Sequence, residues 1–99
     1  MQIEQEINEK AGRFFIRNSN DTVAELDYEL PGENILLITH TEVNESIAGK
    51  GIGKQLVSAA VDYARANHFV IKATCSFAKA VLEETNGYAD VYYVGKSKS

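Results

Sequence analysis

Ser46 to Leu56 reads SIAGKGIGKQL and joins two segments whose hydrophobic patterns have different periods. Its three glycines fall at every second position from Gly49, and lysines stand between and after them. Glycine lets a ligand approach the bare backbone, and the first amides of a helix have no partner within the helix. The stretch therefore predicts a phosphate-binding loop at a helix N-terminus, and the alternative is a plain turn between a strand and a helix.

The segment before this loop predicts four strands joined by short turns. Thr22–Leu30 alternates polar and apolar residues, as a half-buried strand does. Ile35–Ile38 is a continuous apolar run, which is typical of a strand buried on both faces. Pro31-Gly32 predicts a turn between them, and short turns favour an antiparallel meander. The four strands cover residues 3–7, 13–17, 22–30 and 34–43.

After the loop the period becomes that of a helix. Ile52, Leu56, Ala60 and Ala64 recur at every fourth position, which predicts a helix from about Gly51 to Asn67. The strand before the loop, this helix and the next strand form a βαβ unit, whose strands we expect to be parallel with a right-handed crossover. The remaining elements are a buried strand at 69–74, a helix at 76–84 and a strand-like VYYV within 88–94.

The chain has 99 residues, which predicts a single domain over residues 1–94 with a disordered tail at 95–99. Its formal net charge of −4 argues against a general nucleic-acid binder. The single cysteine cannot form an internal disulfide. The first ten residues lack the apolar core of a signal peptide, and no apolar run is long enough to span a membrane. These features predict a soluble, cytoplasmic protein.

The spacing of the glycines excludes two common phosphate-binding motifs. A Walker A loop that ends at Gly53-Lys54 requires glycine where Ala48 stands and a hydroxyl residue where Gln55 stands. The dinucleotide pattern G-x-G-x-x-G places lysine or leucine at its third glycine. An antiparallel meander upstream is also the wrong context for either motif.

Ala48–Gly53 resembles the acyl-CoA signature of the GNAT superfamily of N-acetyltransferases, Arg/Gln-x-x-Gly-x-Gly/Ala, at every position but the first. The order of motifs along residues 3–94 is similar to a small stand-alone branch of that superfamily. The resemblance implies an α+β (mixed α/β) fold, in which the meander joins a βαβ unit with a splayed parallel strand pair and a short C-terminal helix. The motifs are HTEV, the glycine loop, LVSAAVDYAR, Cys-x-Phe and Tyr-x-Asp.

The resemblance also implies where acetyl-CoA binds. The acyl-pantetheine arm is expected in the gap beside the strand end, and the pyrophosphate on the backbone amides of residues 49–54. Two positions depart from the pattern: Ala48 replaces the usual Arg or Gln, and Ser76 replaces a common proline. The predicted cofactor-binding residues are Thr41, Val43, Gly49, Lys50, Gly51, Ile52, Gly53, Lys54 and Ser76.

Three residues are predicted to be catalytic. Cys75 matches a cysteine that lies near the thioester in the small branch and is a proposed catalytic group there. Either Cys75 carries the acetyl group first or the amine attacks acetyl-CoA directly, and the alternative for Cys75 is a small buried residue without a catalytic role. Glu42 is a candidate base, and its alternative is an exposed charge at the end of a strand. Direct attack also requires an acid for the departing thiolate, and larger relatives often use a tyrosine of the last helix. This chain lacks that tyrosine, and Tyr88 is the nearest phenol. The alternative role of Tyr88 is core packing. His40 is a further candidate base with a structural alternative.

Two functions follow from these residues. The first is acetyl-CoA-dependent acetylation of an amine, and the second is a non-catalytic module that binds CoA or acyl-CoA. The altered position at Ala48 and the missing tyrosine favour the second. The sequence does not specify the acceptor, which is a small molecule, a peptide or a protein. We expect no metal site, no nucleic-acid or membrane partner, and a monomer or weak dimer.

Overall fold

A computed structural model describes residues 2–32 and 34–93. The described residues form five strands, two α-helices and two short 3₁₀ turns, at Glu45–Ile47 and Asn86–Tyr88. The strands are β1 (Glu4–Ile7), β2 (Ala11–Asn18), β3 (Asp21–Gly32), β4 (Ile35–Val43) and β5 (Val70–Ala73). The helices are α1 (Ile52–Asn67) and α2 (Ser76–Glu84).

The five strands form one sheet in the order β1-β2-β3-β4-β5. The first three pairs are antiparallel because short turns connect them, and β4 pairs with β5 in parallel across the α1 crossover. The predicted meander, βαβ unit and C-terminal helix are therefore confirmed, and so is the α+β fold class.

The core lies between one face of the sheet and the two helices. Alternate strand residues such as Leu26, Leu36 and Ile38 are fully buried on this face. They meet the apolar stripe of α1, in which Leu56 and Ala60 are also fully buried. The buried stripe of α1 is the one that the i, i+4 spacing predicts.

The opposite face of the sheet, here called the outer face, is covered by long charged side chains. Phe15 points to this face, yet only 3% of it is exposed. The guanidinium groups of Arg13 and Arg17 lie 4.3 and 5.6 Å from its ring centre. Glu6 and Glu25 hold Arg13 in place with ion pairs of 2.9 and 3.0 Å. The two arginine side chains therefore cover the Phe15 ring on a face of the sheet where no helix packs among the described residues.

Two predicted boundaries differ from the structure. The turn predicted at Pro31-Gly32 begins later in the chain, because β3 continues through both residues and Gly32 pairs with Ile35. Over the described residues the final strand is reduced to one parallel bridge between Tyr92 and Ile71, in which the Ile71 amide donates to the Val91 carbonyl and the Tyr93 amide donates to the Ile71 carbonyl. Val94 and the predicted tail at 95–99 lie outside the described residues.

Candidate active site

The pairing of the two parallel strands ends at the level of a β-bulge in β4. Their pairing runs from Ile35 beside Val70 to Ile38 beside Ala73, and the Thr74 amide then donates to the Ile38 carbonyl at 3.0 Å. The register between β3 and β4 shifts at the same level, between Asp27 and Tyr28. A bulge bends its strand, and β5 ends at Ala73 while β4 continues to Val43. The space beside this last part of β4 is here called the wedge.

The wedge presents the backbone of β4. The Asn44 amide donates to the Val23 carbonyl at 2.7 Å, so Asn44 faces β3. Because successive residues of a strand direct their backbone groups to opposite sides, Val43 and Thr41 direct theirs away from β3 and into the wedge. These groups are suited to pair with the amides of an extended ligand arm.

The glycine loop closes one end of the wedge. Gly49 and Gly51 have φ angles of +85° and +74°, values that other L-residues adopt only at a cost. Gly51 is the N-cap of α1, and the Gln55 amide makes the first helical hydrogen bond to its carbonyl at 3.1 Å. The amides of the first turn therefore remain available at the positive end of the helix dipole, which suits an anion.

Gly53 is glycine for a different reason. It lies within the first turn of α1, and its φ angle is not positive, unlike those of Gly49 and Gly51. A Cβ there would stand 2.7 Å from Cζ and 2.8 Å from Cε2 of Phe77. Phe77 thus crosses from α2 to rest against α1. The Cys-x-Phe motif contains this residue, but sequence reasoning gave it no place in the site, because a contact between two helices leaves no local pattern.

The wedge and the loop form an apolar cleft of about 420 Å³. Most of the predicted cofactor-binding residues line it, and Ala48 and Phe77 do so as well. Lys50 and Ser76 are exposed beside it and are not among the lining residues. The predicted residues in the lining are Thr41, Val43, Gly49, Gly51, Ile52, Gly53 and Lys54.

Cys75 follows the end of β5 and lies opposite Thr41 of β4. It is the N-cap of α2, and its thiol donates a hydrogen bond to Thr41 Oγ1 on β4 at 3.4 Å. Burial acts to raise the pKa of the thiol. Once the proton is lost, the Thr41 hydroxyl donates to the thiolate instead of accepting from the thiol, and together with the backbone amides of Ala78, Phe77 and Thr41 it outweighs burial. The pKa of Cys75 is therefore lower than that of an ordinary thiol.

Glu42 and His40 lie on the outer face of the sheet. Glu42 follows Thr41 and pairs with Glu25, so its side chain points away from the helices. His40 Nε2 lies 3.2 Å from Glu42 Oε1, and both side chains are mostly exposed. Ligand atoms of Glu25, His40 and Glu42 lie within 4.8 Å of one another, and Glu25 is also paired with Arg13.

Tyr88 lies at the other end of the molecule's long helix. It packs against the core beside the last turn of α1, where Arg65 donates to the Gly87 carbonyl and pairs with Asp90 at 2.8 Å. The glycine loop is at the first turn of α1, and sixteen helical residues span about 24 Å. The structure does not bring Tyr88 to the cleft.

Comparison with known proteins identifies the family. The sequence profile of the family of GCN5-related N-acetyl-transferases matches residues 13–91. The chain belongs to the GCN5-related N-acetyltransferase family. The resemblance predicted from the glycine loop is thereby confirmed, and so is the assignment as an N-acetyltransferase. Proteins of this family use acetyl-CoA as the donor of the acetyl group.

Individual relatives agree with this assignment. Protein NATD1 of Gallus gallus is 32% identical over 83 residues, which cover 83% of this chain and 76% of that protein. The solution structure of a GCN5-like protein from Staphylococcus aureus is 38% identical, with a TM-score of 0.74, over 95% of this chain and 91% of that one.

A more distant structure shares the fold. A ribosomal-protein-alanine N-acetyltransferase from Brucella melitensis biovar Abortus 2308 is 16% identical, with a TM-score of 0.66 over 93% of this chain and 68% of that one.

Within residues 2–32 and 34–93, no helix is long and apolar enough to cross a membrane.

Proposed function

We propose that this protein transfers the acetyl group of acetyl-CoA to an amine through Cys75. The observation that carries the proposal is the contact of the Cys75 thiol with Thr41 across the open wedge. This contact sets a polarised sulfur beside backbone groups that suit the pantetheine arm. The proposal extends the family's general chemistry to one nucleophile in this chain.

Acetyl-CoA fits the cleft in one direction. Its pyrophosphate is the group that suits the free amides of the first turn of α1 and the charge of Lys54. Its pantetheine arm has amides that suit the backbone of Thr41 and Val43 and methylenes that suit the apolar lining. This direction brings the thioester to the Cys75 end of the wedge.

The proposed reaction is a pair of acyl transfers. The Cys75 thiolate attacks the thioester carbonyl, the bond from that carbon to the CoA sulfur breaks, and CoA leaves as a thiolate that takes up a proton. An uncharged amine then attacks the acetyl-cysteine, the bond to Sγ breaks, and the amide and the Cys75 thiolate are formed. The proton that the amine loses requires a base.

Glu42 is proposed as that base, with the acceptor on the outer face. The pairing of β4 with β5 ends at Ile38 and Ala73, and the helix side of the sheet is the one assigned to acetyl-CoA. The proposal assigns the amine to the outer face, where the exposed Glu42 side chain follows Thr41 along β4. This arrangement separates donor and acceptor, and it gives Tyr88 no part in the proposed reaction.

The test is a CoA-release assay with a panel of amines. We expect release that depends on the added amine, and we expect Cys75→Ala to bind CoA by calorimetry while losing that release. Glu42→Gln is expected to slow amine-dependent release more than Tyr88→Phe does.

Two results would contradict the proposal. Transfer that persists in Cys75→Ala would indicate direct attack by the amine on acetyl-CoA. Binding of CoA without turnover of any amine would instead support a non-catalytic binding module.

A further inference from the structure

The side chain of Phe77 is unusually exposed for its position. It lines an apolar cleft together with Thr41 and Val43, yet 41% of it is accessible to solvent. Large apolar side chains favour burial, at roughly 25 cal/mol for each Å² removed from water. An apolar ligand segment in the cleft is one way to cover this ring.

The position of the ring is defined by Gly53. The ring edge of Phe77 rests where a side chain at position 53 would stand, with Cζ and Cε2 within 2.8 Å of an ideal Cβ. At Gly49 and Gly51, by contrast, a Cβ meets nothing within 4 Å among the described atoms, and φ is positive. The loop therefore contains two glycines required for backbone conformation and one required for space.

The ring also lies between the two ends of the proposed acetyl-CoA site. Its own backbone amide faces the Cys75 thiol, while its side chain reaches the first turn of α1. A ligand that joins the free amides of α1 to the Cys75 thiol has to pass beside this ring. The segment of acetyl-CoA that occupies that span is the pantetheine arm.

We propose that Phe77 is a positioning residue that packs against the pantetheine arm, and that Gly53 provides the space that sets its ring in the cleft. This inference rests on the proposed function and deepens it. It assigns affinity for the arm to a residue outside the glycine loop, and it gives the third glycine of the loop a role that does not involve contact with phosphate.

The test compares two ligands by calorimetry: CoA, and its 3′-phosphorylated ADP portion, which lacks the arm. Phe77→Ala is expected to weaken CoA binding about tenfold, as expected for loss of one aromatic contact, and to leave binding of the nucleotide portion unchanged. Phe77→Met, which keeps an apolar side chain, is expected to restore most of the CoA affinity.

A double-mutant cycle tests the role of Gly53. Gly53→Ala is expected to weaken CoA binding in the wild-type background and to have no further effect in the Phe77→Ala background. Gly87→Ala is the matched control, because a Cβ there meets nothing within 4 Å among the described atoms and its φ is not positive.

Three outcomes would overturn the inference. Equal losses for both ligands in Phe77→Ala would mean that the ring only supports the fold of α2, and no loss for either would mean that it does not contact the arm. Additive effects of Gly53→Ala and Phe77→Ala would separate the two residues. Failure of the wild-type protein to bind CoA would instead overturn the proposed function itself.

Discussion

The reactivity of Cys75 depends on the balance between burial and hydrogen bonding. The thiol is partly buried, which raises its pKa, but the Thr41 hydroxyl and the amides of the first turn of α2 stabilise the thiolate more strongly. A buried cysteine without such donors is inert. The difference between a structural and a nucleophilic cysteine at this position therefore depends on these donors, one of which, Thr41, lies on β4.

The first prediction concerns the titration of this thiol. Because the pKa of Cys75 is lowered in the folded protein, a larger fraction is thiolate at neutral pH than in the unfolded chain. The rate of alkylation by iodoacetamide is expected to rise with pH to a plateau. The pH at the midpoint of this rise is expected to be lower for the folded protein than for the urea-unfolded protein. Thr41→Val is expected to move that midpoint upward, and an unchanged midpoint would show that Thr41 does not stabilise the thiolate.

The second prediction separates the glycines of the loop by their effect on stability. Gly51→Ala forces a side chain into a left-handed conformation, which costs roughly 1–2 kcal/mol of the free energy of unfolding. Gly53→Ala improves helix propensity by up to about 1 kcal/mol but displaces Phe77. In the Phe77→Ala background only the gain remains, so Gly53→Ala is expected to stabilise the protein there. Urea unfolding measures these differences, and equal effects in both backgrounds would contradict the contact.

The local elements were predictable from the sequence because their hydrophobic periods are clear. The alternation in β3 and the fourfold spacing in α1 placed these elements, and α2 was predicted with its observed bounds, Ser76–Glu84. The bulge opposite Asp27 was not predictable, because it is defined by pairing between two strands. The same holds for Phe77 against Gly53, which is a contact between two helices.

A third prediction belongs to β3. Burial, followed by the nearby Glu25 charge, raises the pKa of Asp27, and His40 and Arg13 oppose the shift only in part. The folded state therefore favours the protonated carboxyl, and the stability that this group contributes is lost as pH rises through its folded pKa. Asp27→Asn is expected to raise the free energy of unfolding at neutral pH.

The stability advantage of Asp27→Asn is expected to shrink as the pH falls to the ordinary aspartate pKa of 3.8. The wild-type carboxyl of the folded protein is then mostly protonated and, like the asparagine side chain, uncharged. Urea unfolding at both pH values measures it, with the exposed Asp21→Asn as the control. A lower stability of Asp27→Asn at neutral pH would show that the carboxylate is favourably paired.

The whole molecule buries its two sheet faces by different means. The helices cover one face, and the stack of Arg13 and Arg17 over Phe15 covers part of the other. Phe15→Ala is expected to lower the free energy of unfolding by about 3 kcal/mol, a large part of the stability of a small domain. Urea unfolding measures this loss, and Phe77→Ala, at an exposed phenylalanine, is the matched comparison with a smaller expected effect.

The family, its fold and most of the cleft lining were predictable from the order of the motifs, whereas the positions of Glu42 and Tyr88 relative to the cleft were not. The glycine spacing and the Cys-x-Phe segment are local features, so the sequence displays them directly. The side of the sheet that Glu42 faces depends on the bulge in β4, and the distance of Tyr88 from the loop depends on the direction of α2. Both require the tertiary structure.

The most direct test of the central claim is intact-mass spectrometry of the protein after incubation with acetyl-CoA and without an amine. Wild-type protein and Glu42→Gln are expected to gain one acetyl group, and Cys75→Ala to gain none. Addition of an accepted amine is expected to remove the group rapidly from the wild type and slowly from Glu42→Gln. An unmodified wild-type mass, together with amine-dependent release of CoA, would contradict transfer through Cys75.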